Sequence, residues 1–123
     1  MTRITLSSLI VTALAAVLFL VPASAMTSPK LAGTVGPGFT ITLKKGSKKV
    51  TKLKAGKYTF VVHDKSPIHN FTVEQEKGGK FEKHLTPTPF VGTKSVTITL
   101  KKGKWKFYCS NHESQMFGFF TVT

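Results

Sequence analysis

The sequence predicts an all-β protein, a sandwich or barrel of about seven or eight short antiparallel strands within residues 26–123. Three observations predict it. Apolar residues alternate with polar ones, with a period of two rather than 3.6. Lysine–glycine turns punctuate the alternation at 44–47 (KKGS), 54–57 (KAGK), 77–80 (KGGK) and 101–104 (KKGK). After residue 25, no stretch carries the pattern of an amphipathic helix.

Taken in order, residues 26–37 read as a short tail entering a first strand. Phe39, Ile41 and Leu43 share a face of the next one, then Tyr58, Phe60 and Val62. Phe71 and Val73 follow, then Val96, Ile98 and Leu100, often with threonine as the polar partner. Residues 82–93 (EKHLTPTPFVGT) carry two prolines and no alternation, and read as a long connection crossing between sheets. In KWKFYC, Trp105, Phe107 and Cys109 fall on one side, so Cys109 is expected on the core face at the end of its strand. FGFFTVT resumes as the last strand.

Residues 1–25 read as a segment apart. A positive start with Arg3, a thirteen-residue apolar run from Leu9 to Val21 and the small residues Ala23 and Ala25 have the layout of a secretory leader cut after Ala25. A spanning helix wants about 20 apolar residues, which favours a cleaved leader over an anchor. The expected location is therefore outside the cytoplasm: periplasmic, extracellular or at the cell surface.

Residues 26–123 hold 17 lysines against five acids, Asp64, Glu74, Glu76, Glu82 and Glu113, so 17 − 5 = +12. This charge favours acidic protein partners or an anionic envelope surface. Nucleic acid is disfavoured, because beyond Arg3 every cation is lysine and none offers the planar fork of arginine. Most of the lysines read as a solvated coat that blunts strand edges.

The chemistry concentrates in FYCSNHESQMFG (107–118). The single cysteine, Cys109, is followed by His112 and Met116 in a loop before the last strand. Upstream, SPIHNFTV (66–73) puts His69 where a loop enters a strand, 40 residues before Cys109. Two imidazoles, a thiolate and a weak axial thioether are the donor set of electron-transfer copper, tolerable to both oxidation states. Zinc would favour more cysteine or histidine and has no use for methionine. A nucleophilic thiol wants a polar, reachable setting, which an apolar strand face denies Cys109, so no enzymatic role is expected. His63 and His84 read as ordinary surface histidines.

IHNF followed by FYCSNHESQM resembles the cupredoxins, the small blue copper proteins. The resemblance implies a Greek-key β-sandwich, one type 1 copper and no enzymatic activity. It implies His69, Cys109, His112 and Met116 as the ligands, with Gln115 the alternative axial donor. It implies that Asn70 helps tie the two ligand loops together. His112 would lie near the surface in an apolar patch with Phe117, Pro89 and Phe90, where a redox partner docks. The function so implied is one-electron transfer by an exported monomer that has protein partners and no small-molecule substrate. A copper-delivery protein of the cell envelope, using the same ligands, is the alternative reading.

Overall fold

The computed structural model describes residues 15–17 and 27–123. The leader expected over 1–25 lies outside the described residues except for 15–17, which have no regular structure. Among the described residues no helix is long and apolar enough to cross a membrane.

The described chain is all strand and loop. In order the strands are β1 (Lys30–Val35), β2 (Ile41–Lys45), β3 (Lys48–Lys49), β4 (Lys52–Leu53), β5 (Gly56–Asp64), β6 (Phe71–Lys77), β7 (Glu82–Thr86), β8 (Gly92–Leu100), β9 (Gly103–Tyr108) and β10 (Phe117–Val122). They form two five-stranded sheets, β3-β2-β1-β5-β8 and β4-β10-β9-β6-β7. The count exceeds the expected seven or eight because β3 and β4 are two-residue strands with too little alternation to be read locally.

The expected turns are where the lysine–glycine motifs stand. Gly46 and Gly78 take positive φ of 62° and 97°, which a side chain would strain. The alternation resolves into a core between the sheets. Tyr58, Phe60 and Val62 bury from β5, Phe71 and Val73 from β6, Ile98 and Leu100 from β8, and Trp105 and Phe107 from β9. Phe71 and Phe107 stack with ring centroids 6.0 Å apart.

Three expectations need correction. Residues 82–93 are not one long connection. Glu82–Thr86 form β7, held to β6 by backbone pairing, and only the proline-containing 87–91 crosses to β8 in the other sheet. Cross-strand hydrogen bonds, not alternation, make that strand. The sheets are also not purely antiparallel, because β1 pairs parallel with β5 and β4 parallel with β10. Parallel neighbours cannot be joined by a tight hairpin, and here a long stretch of chain separates the two strands of each parallel pair. Finally, Phe39 does not share the buried face of Ile41 and Leu43. It precedes β2 and stands 56% exposed.

The pairing of β6 with β9 positions the site. Thr72 faces Tyr108 and Val73 faces Phe107. The loop before β6 and the loop after β9 therefore emerge at the same end of the sandwich. There Gly118 on β10 lies opposite Phe107, and a Cβ at that position would overlap the Phe107 ring. We predict that Gly118→Ala displaces that ring and destabilises the fold by about 1–3 kcal/mol, read as a lower urea or thermal midpoint. An unchanged midpoint would show that the ring moves at no cost.

Candidate metal centre

His69 enters from the loop between β5 and β6, which is built from local hydrogen bonds. Asp64 Oδ1 accepts the Ser66 amide at 3.1 Å, Ser66 Oγ accepts the Ile68 amide at 3.4 Å, and the Ser66 carbonyl accepts the His69 amide at 3.4 Å. Such side-chain caps replace the ladder bonds a strand would supply. Gly36 lets the β1–β2 loop pass close by, since a Cβ there would sit 3.0 Å from Ser66 Cβ and 3.5 Å from the His69 ring.

Cys109 follows the last residue of β9 and is fully buried. The loop after it is closed by nested turns. The Cys109 carbonyl accepts the His112 amide at 3.1 Å, the His112 carbonyl accepts the Gln115 and Met116 amides at 3.0 and 2.9 Å, and the Cys109 amide donates to the Met116 carbonyl at 3.0 Å. These turns fold Met116 into the core and leave Gln115 exposed.

Three donors converge. His69 Nδ1 and His112 Nδ1 stand 3.1 Å apart, and Cys109 Sγ is 3.9 Å from the first and 3.7 Å from the second. Ligands bound to one ion at about 2.0–2.3 Å can lie no further apart than about 4.0–4.6 Å, and all three separations meet that bound. His69 and Cys109 are buried and His112 is half-buried. His69 Nε2 is enclosed without a hydrogen-bond partner. Among the described residues this is the grouping of three metal-ligating side chains.

The loops are tied to one another. Asn70 donates from Nδ2 to Ser110 Oγ at 2.7 Å and accepts the Ser110 amide on Oδ1 at 3.0 Å. Its own amide donates to Cys109 Sγ at 3.4 Å. Asn111 Nδ2 donates to the Ile68 carbonyl at 3.1 Å and to Thr88 Oγ1 at 2.9 Å, and Thr88 Oγ1 donates to the His69 carbonyl at 3.3 Å.

The chain was compared with known proteins. No protein-family model matches it, and no curated protein does. Solved structures do match. The copper protein rusticyanin, solved at 2.1 Å, superposes with a TM-score of 0.51 at 19% identity over 76% of each chain. Reduced rusticyanin in solution gives 0.51 at 16% identity over 76% of each chain. Amicyanin, in its reduced Cu(I) form, gives 0.50 at 13% identity over 80% of this chain and 86% of that one. The chain has the cupredoxin fold.

Within this cupredoxin fold, Met116 is fully buried in the core cluster next to Cys109. Phe117 is exposed at the start of β10, Pro89 is exposed in the β7–β8 loop, and Phe90 is half-buried against Gly92. His63 and His84 are exposed and stand outside the three-donor cluster. Phe39 was not legible as a site residue. Its ring meets both imidazoles edge-on, with centroids 4.9 Å from His112 and 5.4 Å from His69. Its only local signal was the glycine- and proline-rich GPGF, which marks a loop and not what the loop covers.

One outer-face cluster flanks the site. The Tyr108 hydroxyl lies 2.9 Å from Glu74 and 3.0 Å from Glu82, which are themselves cross-strand neighbours. Burial, then the two carboxylates, push the Tyr108 phenol far above its ordinary range. Burial also raises Glu74, and the Tyr108 hydrogen bond opposes that rise. A carboxyl raised on folding adds stability below its unfolded value, and that contribution is lost as pH climbs through its folded value. We therefore expect Glu74→Gln to gain stability relative to the parent as pH rises from about 4 to 7, measured as the difference in thermal midpoints. A difference that is flat or shrinks with pH would contradict it.

Proposed function

We propose that this chain is a one-electron carrier holding a single type 1 copper, with His69 Nδ1, Cys109 Sγ and His112 Nδ1 as ligands and Met116 as the axial donor. The observation that carries the reading is the convergence of two imidazole nitrogens and one buried sulfur within 3.9 Å of one another, on a cupredoxin fold. The solved neighbours include the copper protein rusticyanin and amicyanin in a Cu(I) form. When bound, copper would cycle between Cu(II) and Cu(I) in a donor set both states tolerate.

The chain's own residues do the rest. The turns of 109–116 and the Asn70–Ser110 ties hold the donors rigidly, so little has to move when an electron passes. Trp105, Phe107 and Phe120 pack in the same buried core cluster as Cys109, which excludes water. Burial of Met116 favours it over exposed Gln115 as the axial group. Full burial of His69 and Cys109 favours retention of the metal over its delivery to an acceptor.

The half-buried edge of His112 would be the electron port. Phe39, Ile68, Val91 and Phe117 are exposed large apolar residues, and Phe39 touches His112 directly. They supply the apolar contact for a docking partner, together with Pro89 and Phe90. The surplus of lysine would steer an acidic redox protein towards that end. Residues 1–25 would direct export.

Three outcomes test the reading. Adding Cu(II) gives a blue or green protein through thiolate-to-Cu(II) charge transfer, and Cys109→Ser loses that band while the strand signal in circular dichroism persists. A colourless adduct of the parent would refute the type 1 assignment. Met116→Leu keeps the colour and raises the reduction potential, because a donor that favours Cu(II) is gone; an unshifted potential would remove Met116 from the axial position. The rate of electron exchange with an acidic partner falls about tenfold or more from low to high salt, and a salt-independent rate would remove the steering.

A further inference from the structure

Thr72 has one hydroxyl proton and two close polar neighbours. Its Oγ1 lies 2.9 Å from Asn70 Oδ1 and 2.6 Å from His84 Nδ1. Thr72 is fully buried and Asn70 is 5% exposed, so no bulk water substitutes for a missing partner. The amide of Asn70 has a defined orientation. Its Oδ1 accepts the Ser110 backbone N–H, which can only donate. Oδ1 can therefore bond Thr72 only by accepting the Thr72 proton. With that proton spent, Thr72 Oγ1 can only accept from His84, and Nδ1 of His84 must carry a hydrogen.

If the His84 proton sits on Nε2 alone, the bonding reverses. Thr72 turns its proton to His84 Nδ1, and two buried oxygens are left 2.9 Å apart with no proton between them. The Asn70 side chain then loses one of the bonds that hold it. Asn70 is the residue whose side chain grips Ser110 and whose backbone N–H donates to Cys109 Sγ. A hydrogen bond to a metal-binding sulfur withdraws charge from it and favours the reduced metal.

We propose that exposed His84, acting through buried Thr72, is a positioning residue that sets how firmly Asn70 holds the Cys109 sulfur. His84 reaches the metal centre from the outer face of the sheet, along the row His84–Thr72–Tyr108 that crosses β7, β6 and β9. The imidazolium always has a hydrogen on Nδ1 and locks the chain of bonds in the order His84, Thr72, Asn70. The neutral ring divides between two tautomers, of which only one supports it. The reduction potential of this centre is therefore tied to pH through a group that touches none of the ligands.

The titratable and charged groups on the strands beside His84 are Glu82 and Lys83 on β7, Glu74, Glu76 and Lys77 on β6, and Lys104, Lys106 and Tyr108 on β9. β5 and β8, which approach β7 from the other sheet, add Lys57, Tyr58, His63, Asp64 and Lys94. Glu74 and Glu82 are engaged by the Tyr108 hydroxyl, and among the described residues no carboxylate forms an ion pair with His84.

This inference rests on the copper reading for its electrochemical test, and a second measurement stands without it. In the copper-loaded protein, the potential is measured between about pH 5 and 8. The expected result is a potential that rises as pH falls. The slope should be lost in both His84→Phe and Thr72→Val and kept in Thr72→Ser, which restores the hydroxyl. A flat parent profile overturns the proposal. So does a slope that survives Thr72→Val, because a charge acting through space needs no hydroxyl. In the metal-free protein, 15N NMR of the neutral His84 ring reads the tautomer directly. The expected result is a population with hydrogen on Nδ1 that falls in Thr72→Val; the same balance in both proteins overturns the proposal whether or not copper binds.

Discussion

The register between β6 and β9 is the constraint on which the site depends. Thr72 opposite Tyr108 brings the residue two before Thr72, Asn70, to the residue after Tyr108, Cys109, and the Asn70 amide lands 3.4 Å from the sulfur. A slip of one residue would invert every side chain of one strand. If β9 slipped, Cys109 would turn outwards and the buried sulfur would be lost; if β6 slipped, Thr72 would turn inwards and the outer-face hydrogen-bond row would be lost. Stacked Phe71 and Phe107 resist such a slip from the core side, and the Tyr108 hydroxyl between Glu74 and Glu82 resists it from the outer side.

Given that register, the rest of the site is a problem of loop closure. Loops are costly to order because their backbone groups lack ladder partners. Here each loop borrows partners from another. Asn70 serves the 109–116 loop, Asn111 serves the 65–70 loop, and Thr88 links both to the crossing segment between the sheets. Two asparagines and a threonine thus tie three loops together, and the close placement of the His69, Cys109 and His112 donor atoms follows from that sharing. Phe39 adds an apolar cover from a fourth loop, touching both imidazoles while its other face meets solvent.

Charge is divided as unevenly as polarity. The chain carries only five acids, and two of them, Glu74 and Glu82, sit around one buried phenol while a third, Asp64, is buried in the turn that leads to His69. Glu113 is matched by Lys106 at 2.6 Å. The acids are therefore mostly spent on structure near the site, and the lysines elsewhere are left to set the field that an approaching partner meets.

The sequence by itself determined the sandwich, most of its core faces, its turns and the candidates His69, Cys109 and His112 that the fold brings together. Alternation and glycine turns are local properties, and a lone cysteine, a histidine and a methionine within eight residues are visible in the string. Tertiary structure alone decided the remainder. Glu82–Thr86 became a strand because β6 offered it hydrogen bonds, and β1 and β4 found parallel partners far along the chain. Phe39 left its expected face to cover the histidines, and His84, a surface histidine by every local sign, met Thr72 across two strands. These are non-local contacts, in which each residue's role depends on which distant backbone the sheet register sets beside it, and no window of neighbouring residues contains that information.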